Sequence, residues 1–176
     1  PLMTAAELNA LMEREKKRFA GAELMGKTLG VVGLGSIGSL VARLGLDLDM
    51  QVVGYDPALS VDAAWRLPSD VERMENMQIL LARSDFVSLH LPVLDTTRGL
   101  LNADLLKNLR SGSCLLNFAR EEVVSIEAIV DALDSGLLRQ YVSDFPNPML
   151  LGRNDALLMP HIGASTAEAE ENCAVM

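Results

Sequence analysis

The segment Gly33-Leu34-Gly35-Ser36-Ile37-Gly38 constrains this chain more than any other feature. It follows an apolar run, Thr28–Val32, and opens a stretch with Ile37, Leu40, Val41, Leu44 and Leu48 at helical spacing, which reads as one apolar helix face. A strand that turns sharply into a helix needs the first glycine for the turn. The second lets a ligand approach the backbone, and the third lets the helix lie close to the strand. The helix start then offers unpaired N–H groups and a partial positive charge, both favourable to a phosphate. Asp56 stands 18 residues past Gly38, in Tyr55-Asp56-Pro57, at the end of a second apolar run, Gln51–Tyr55. A carboxylate there accepts hydrogen bonds from adenosine ribose hydroxyls. Turn, helix and carboxylate together read as a dinucleotide site. Asp56 repels a 2′-phosphate, and Pro57-Ala58-Leu59 brings no Arg or Lys to hold one, so the expected cofactor is NAD rather than NADP.

Four more strand candidates follow, at 86–91, 113–118, 140–143 and 156–159. Helical patterns fall between them. Asn102 is placed to cap a helix carrying Leu105, Leu106 and Leu109 and ended by Gly112. Ser125 is placed to cap another, carrying Ile126, Ile129, Val130 and Leu133 and ended by Gly136. Residues 1–20 read as a polar connecting helix, and a final helix is expected to start near Ser165 or Thr166. Strand–helix alternation of this kind predicts an α/β, doubly wound parallel sheet of Rossmann type over residues 21–176, with helices on both faces. Such sheets bind ligands at the carboxyl ends of their strands, and every chemical residue named below follows a strand candidate.

Composition narrows the partners. A net charge of −9 argues against nucleic acid and against an anionic membrane surface. The uncharged run 28–42 is broken by glycines and is shorter than the roughly 18 apolar residues a spanning helix needs. The first 20 residues mix Glu, Arg and Lys and do not read as a signal peptide. Cys114 and Cys173 lack metal-ligand spacing, so no metal site is expected; Cys114, in an apolar run, reads as a buried thiol, and the pair fits a reducing cytoplasm. Trp65 and the methionines read as packing residues.

The chain has two histidines. His161 lies between the last strand candidate and the expected final helix, where an imidazole can serve as acid or base near neutral pH. His90, in Leu89-His90-Leu91-Pro92, reads as a structural or groove-lining residue. Arg120 ends Leu116-Asn117-Phe118-Ala119-Arg120 and could grip a carboxylate with its planar fork.

With these residues in order, the chain resembles the cofactor domain of the D-2-hydroxyacid dehydrogenases, and within them the 3-phosphoglycerate dehydrogenase branch. The resemblance runs from 26 to 166 through LGVVGLGSIGSLVA, GYDP, SDFVSLHLP, TRGLLN, LLNFAR, YVSDFPN and PHIGAST. It implies that His161 exchanges a proton with the substrate's C2 oxygen as hydride moves to or from the nicotinamide. Arg120 would hold the substrate carboxylate. Gly33, Gly35, Ser36, Ile37, Gly38, Tyr55, Asp56 and Pro57 would serve the phosphates and ribose. His90, Leu91, Pro92, Phe118 and Ala119 would line the groove, with Thr97 in a loop over the dinucleotide. Asp144 would sit near the nicotinamide carboxamide, with Gly163 and Ala164 beside His161. A small 2-hydroxy or 2-keto acid substrate and a homodimer built through the cofactor domain are further implications.

The chain departs from the family pattern at three places. The family's glutamate, which orients the catalytic histidine, is absent: Phe145 is followed by Pro146-Asn147-Pro148-Met149, and Pro148 takes its place. Asp144, a different residue or another chain would have to partner His161. Glu121 replaces a glycine after the arginine and adds negative charge near Arg120, and Ser125 replaces an aspartate. The family's second, substrate-binding lobe has no room here; the chain starts at Pro1 and ends at Met176, as a fragment would. The resemblance therefore implies an NAD-binding lobe that binds dinucleotide but turns over poorly alone. A second reading stays open: an NAD(H)-sensing module whose catalysis is weak.

Overall fold

The computed structural model describes residues 3–19, 21–163, 165 and 166. The final helix expected from Ser165 or Thr166 and the site residue Ala164 lie outside them. Among the described residues, seven strands form one parallel sheet. They are β1 (Thr28–Val32), β2 (Gln51–Tyr55), β3 (Val71–Arg73), β4 (Phe86–Leu89), β5 (Ser113–Asn117), β6 (Leu138–Ser143) and β7 (Ala156–Leu158), in the spatial order β3-β2-β1-β4-β5-β6-β7. The order reverses between β1 and β4, which pair from Leu29↔Phe86 to Val32↔Leu89. That is the switch point where a crevice opens at the strands' carboxyl ends. The doubly wound architecture expected from the sequence is the one observed.

The core follows from the apolar strands. Val31, Val32, Val87, Leu89 and Leu115 are fully buried, as strands covered on both faces should be. Helices α1 (Ala5–Glu15), α2 (Ser36–Asp47), α3 (Val61–Arg66), α4 (Met77–Arg83), α5 (Ala103–Leu106) and α6 (Ile126–Asp134) complete the fold. Thr4 caps α1 in a reciprocal capping box with Glu7. The expected caps are present: the Asn102 side chain accepts from Leu105 N–H at 3.1 Å and Ser125 from Ala128 N–H at 3.3 Å.

Several expectations need correction. The strands expected at 86–91, 113–118 and 156–159 stop one or two residues earlier, and that at 140–143 begins at Leu138. β3, α3 and α4 escaped the sequence reading. The helix capped by Asn102 ends at Leu106, before Leu109. Most of the apolar stripe of α2 does not face the core: Ile37, Leu40, Leu44 and Leu48 are exposed and only Val41 packs against it, partly buried, while Gly38, Ala42 and Gly45 are buried. Small residues win this face because the helix lies so close to the sheet. A Cβ at Gly45 would stand 2.7 Å from Leu29 Cδ2 and 2.9 Å from Val52 Cγ2. Trp65 is 84% exposed and packs no core. Met50, Met74 and Met77 are buried, whereas Met3, Met12, Met25 and Met149 are exposed. Cys114 is a buried free thiol, as expected. No described helix is long and apolar enough to cross a membrane.

Candidate active site

The glycine turn is built by the backbone. Gly33 has φ +88, a conformation that side chains resist, and its N–H donates to Tyr55 O at 2.9 Å. A Cβ at Gly38 would stand 1.9 Å from Gly33 O, so α2 can start here only without one. Gly35 differs: nothing lies within 4 Å of the place its Cβ would take. It caps α2 without any side-chain hydrogen bond, which leaves the first N–H groups of the helix facing open space. Asp56 closes the turn from the side. Its Oδ2 accepts from Leu34 N–H at 2.8 Å and its Oδ1 from Ala58 N–H at 2.9 Å. Each carboxylate oxygen retains a second lone pair for a further donor.

A groove of about 260 Å³ opens at the switch point, lined by Gly35, Ser36, Ile37, Gly38, His90, Leu91, Pro92 and the turn Phe118-Ala119-Arg120. All of these were singled out from the sequence. Its two walls come from the ends of β1 and β4, and β5 supplies the third side. The β5 turn is held by Asn117, fully buried, which the sequence reading passed over. The Asn117 amide donates to Arg120 O at 3.0 Å and to the Tyr141 hydroxyl at 3.3 Å, and its Oδ1 accepts from Ala119 N–H at 3.2 Å. A lone polar residue ending the apolar run of β5 was the signal for it. Burial pushes the Tyr141 phenol up from its ordinary pKa.

Arg120 is exposed at the groove, and its Nη1 donates to Ala119 O at 2.6 Å. Among the described residues no carboxylate pairs with it. The Glu121 carboxylate accepts from the Asn147 amide at 3.3 Å and bridges two loops. His90 Nε2 lies 2.9 Å from Ser88 Oγ, and burial lowers its pKa, which favours a neutral ring beside the groove. Thr97 does not line the groove. Its hydroxyl donates to Pro92 O at 2.6 Å and accepts from Leu94 N–H at 2.8 Å, so it pins the loop that follows β4.

His161 and Asp144 form a separate cluster at the far end of the same sheet edge. Asp144 follows β6 directly, and His161 follows β7 by way of Met159 and Pro160. Nδ1 of His161 lies 3.2 Å from Asp144 Oδ2; the imidazole is 55% exposed and the carboxylate 18%. The Phe145 ring stands 5.0 Å from the imidazole, tilted by 46°. The partner of His161, left open by the sequence, is thus Asp144 among the described residues. Gly163 lies beside it with open space at its Cβ position.

Compared with known proteins, residues 3–163 match the model of the D-isomer specific 2-hydroxyacid dehydrogenase NAD-binding domain. The chain belongs to that family. Its cofactor is NAD, and the open face of Gly35, the uncapped start of α2 and the carboxylate of Asp56 fit a dinucleotide. The chain is 38% identical over 170 residues to D-3-phosphoglycerate dehydrogenase of Mycobacterium tuberculosis, covering 92% of this chain and 32% of that protein. It is 35% identical over 170 residues to hydroxypyruvate reductase of Thermotoga maritima, covering 92% of this chain and 54% of the other. Apo D-mandelate dehydrogenase of Rhodotorula graminis superposes with a TM-score of 0.82 at 28% identity, over 98% of this chain and 51% of that one. The chain therefore spans about a third to a half of these relatives.

Proposed function

We propose that this chain is the cofactor lobe of an NAD-dependent D-2-hydroxyacid dehydrogenase that oxidises 3-phosphoglycerate to 3-phosphohydroxypyruvate, feeding serine biosynthesis. The observation that carries the reading is the gathering, on one carboxyl edge of a parallel sheet, of a phosphate-ready helix start, an Arg120 that no carboxylate pairs among the described residues, and the His161–Asp144 cluster. The start of α2 holds the pyrophosphate, and Asp56 takes the ribose hydroxyls. Arg120 grips the substrate carboxylate, and its charge, unspent on any described carboxylate, also polarises the C2 oxygen. His161 takes the proton from the C2 hydroxyl in oxidation and returns it in reduction. NAD supplies the hydride acceptor. Substrate choice rests on the names of the phosphoglycerate dehydrogenase relatives; the hydroxypyruvate reductase and mandelate dehydrogenase relatives mark the competing choices. The sensing-module reading draws on the absent family glutamate, Pro148 standing in its place; the contact between His161 and Asp144 supports the enzyme reading over it.

The exposed stripe Ile37, Leu40, Leu44 and Leu48 on α2, with Leu8 and Met12 exposed on α1, supports a homodimer through this lobe. The two cysteines, without metal-ligand spacing and with Cys114 a free thiol, fit a reducing cytoplasm. The test is a turnover screen with NAD, over 3-phosphoglycerate, glycerate, lactate and mandelate, of the whole enzyme in which this lobe is joined to its substrate-binding lobe. The highest kcat/KM is expected for 3-phosphoglycerate, with a fall of about 100-fold or more in Arg120→Gln. A preference for an unphosphorylated acid would discard the substrate and keep the reaction class; no turnover of any of them would discard both.

A further inference from the structure

We infer that Asp144 is the positioning residue of His161: it holds the proton on Nδ1 and so leaves Nε2 as the atom that exchanges a proton with substrate. The inference rests on the reading of His161 as the acid/base group. Asp144 Oδ2 is an acceptor only, and at 3.2 Å from Nδ1 it is within reach of a donated N–H. Neutral imidazole in water favours the opposite tautomer, so the carboxylate has to impose this one. The exposures fit: the carboxylate end is the buried one, at 18%, and the ring, at 55%, faces outward. Among the described residues no other carboxylate lies within ion-pair distance of His161. Asp144 Oδ1 is buried and without a hydrogen-bond partner among the described residues, so no donor there competes for the carboxylate.

The loop that carries Asp144 is itself braced. Phe145 N–H donates to Ser143 Oγ at 3.1 Å, and Asn147 Oδ1 accepts from Met149 N–H at 3.0 Å while its amide donates to Glu121 at 3.3 Å. Phe145 then sets its ring against the imidazole that Asp144 contacts. Two consecutive residues thus restrain the ring, one by charge and one by packing. In oxidation the O–H bond of the C2 hydroxyl breaks and an N–H bond forms at Nε2. The O–H electron pair becomes the second C–O bond as C2 loses its hydrogen, with both electrons, to the nicotinamide. The resulting imidazolium lies beside the Asp144 carboxylate, which stabilises it.

The test has two arms. In the first, long-range proton–nitrogen NMR of this chain in mildly alkaline buffer reads the two imidazoles, with His161→Gln assigning them. His161 is expected with its proton on Nδ1, and in Asp144→Ala the balance moves toward Nε2–H. A wild-type His161 already in the Nε2–H form overturns the inference, whatever its catalytic role. In the second arm, the whole enzyme, with this lobe joined to its substrate-binding lobe and carrying Asp144→Asn, which keeps the side-chain volume, is expected to lose about 10- to 100-fold in kcat with KM within about threefold. Equal kcat in variant and parent, or a loss confined to KM, overturns it. A parent that turns over no substrate defeats the reading of function, while the NMR arm still decides the role of Asp144.

Discussion

Gly33 and His161 follow strand ends on the same edge of the sheet, but the two regions are held by different means. Around Gly33 the backbone does the work: a positive φ, an N–H bonded to Tyr55 O, and walls from β1 and β4 whose Val32 and Leu89 are fully buried. Around His161 a half-exposed ring rests on one carboxylate and one phenyl ring. A site made of backbone admits few side chains, and the groove beside Gly33 is lined by turns of this chain. A site made of side chains is tuned residue by residue and stands open on one flank. The comparison teaches that the groove proposed for the cofactor is built into the fold of this chain, whereas the proton transfer proposed for His161 would rest on replaceable groups.

The comparison can be broken most severely at Gly38. A Cβ there would meet Gly33 O at 1.9 Å, so Gly38→Val is expected to weaken NADH binding by about 100-fold or more and to lower the melting temperature. Fluorescence titration with thermal denaturation checks it. Asp56→Ala comes next. It removes acceptors for Leu34 and Ala58 N–H and for the ribose, so a loss of about 10- to 100-fold in NADH affinity is expected, with a smaller loss for NADPH. Leu40→Glu combined with Leu44→Glu should convert a dimer to a monomer by sedimentation, with NADH affinity within about threefold, since these exposed residues are not among those that line the groove.

The smallest effect is expected from His90. Its pKa in the folded chain lies below the ordinary value because burial disfavours the charged ring. The unfolded chain therefore binds this proton first as pH falls. The contribution is fully present above the unfolded pKa, near 6.5, and is lost as pH drops through the folded value. Urea midpoints measured between pH 8 and 5 should fall more steeply for the parent than for His90→Gln.

How much of this was legible in the sequence follows the same division. β1 and β2 were read to the residue because apolar runs bounded by turn residues leave little choice. The groove was legible because each of its walls follows such a strand. β3 was not, since Val71-Glu72-Arg73 is a short edge strand with only Val71 partly buried. The stripe on α2 was read as core because periodicity reports an apolar face without saying what covers it; the sheet took the glycines and alanine instead. The pairing of His161 with Asp144 crosses 17 residues and depends on how β6 and β7 align, Ser143 beside Leu158, which no local pattern encodes.

The most direct test of the central claim is a calorimetric titration of this chain and of its His161→Gln variant with NADH and NADPH. Saturable NADH binding in both, with affinities within about threefold and NADPH much weaker, is the predicted result. Absence of NADH binding to the parent chain, equal binding of NADPH, or a collapse of NADH affinity in His161→Gln would contradict a cofactor site complete within the lobe and independent of the proton-transfer end.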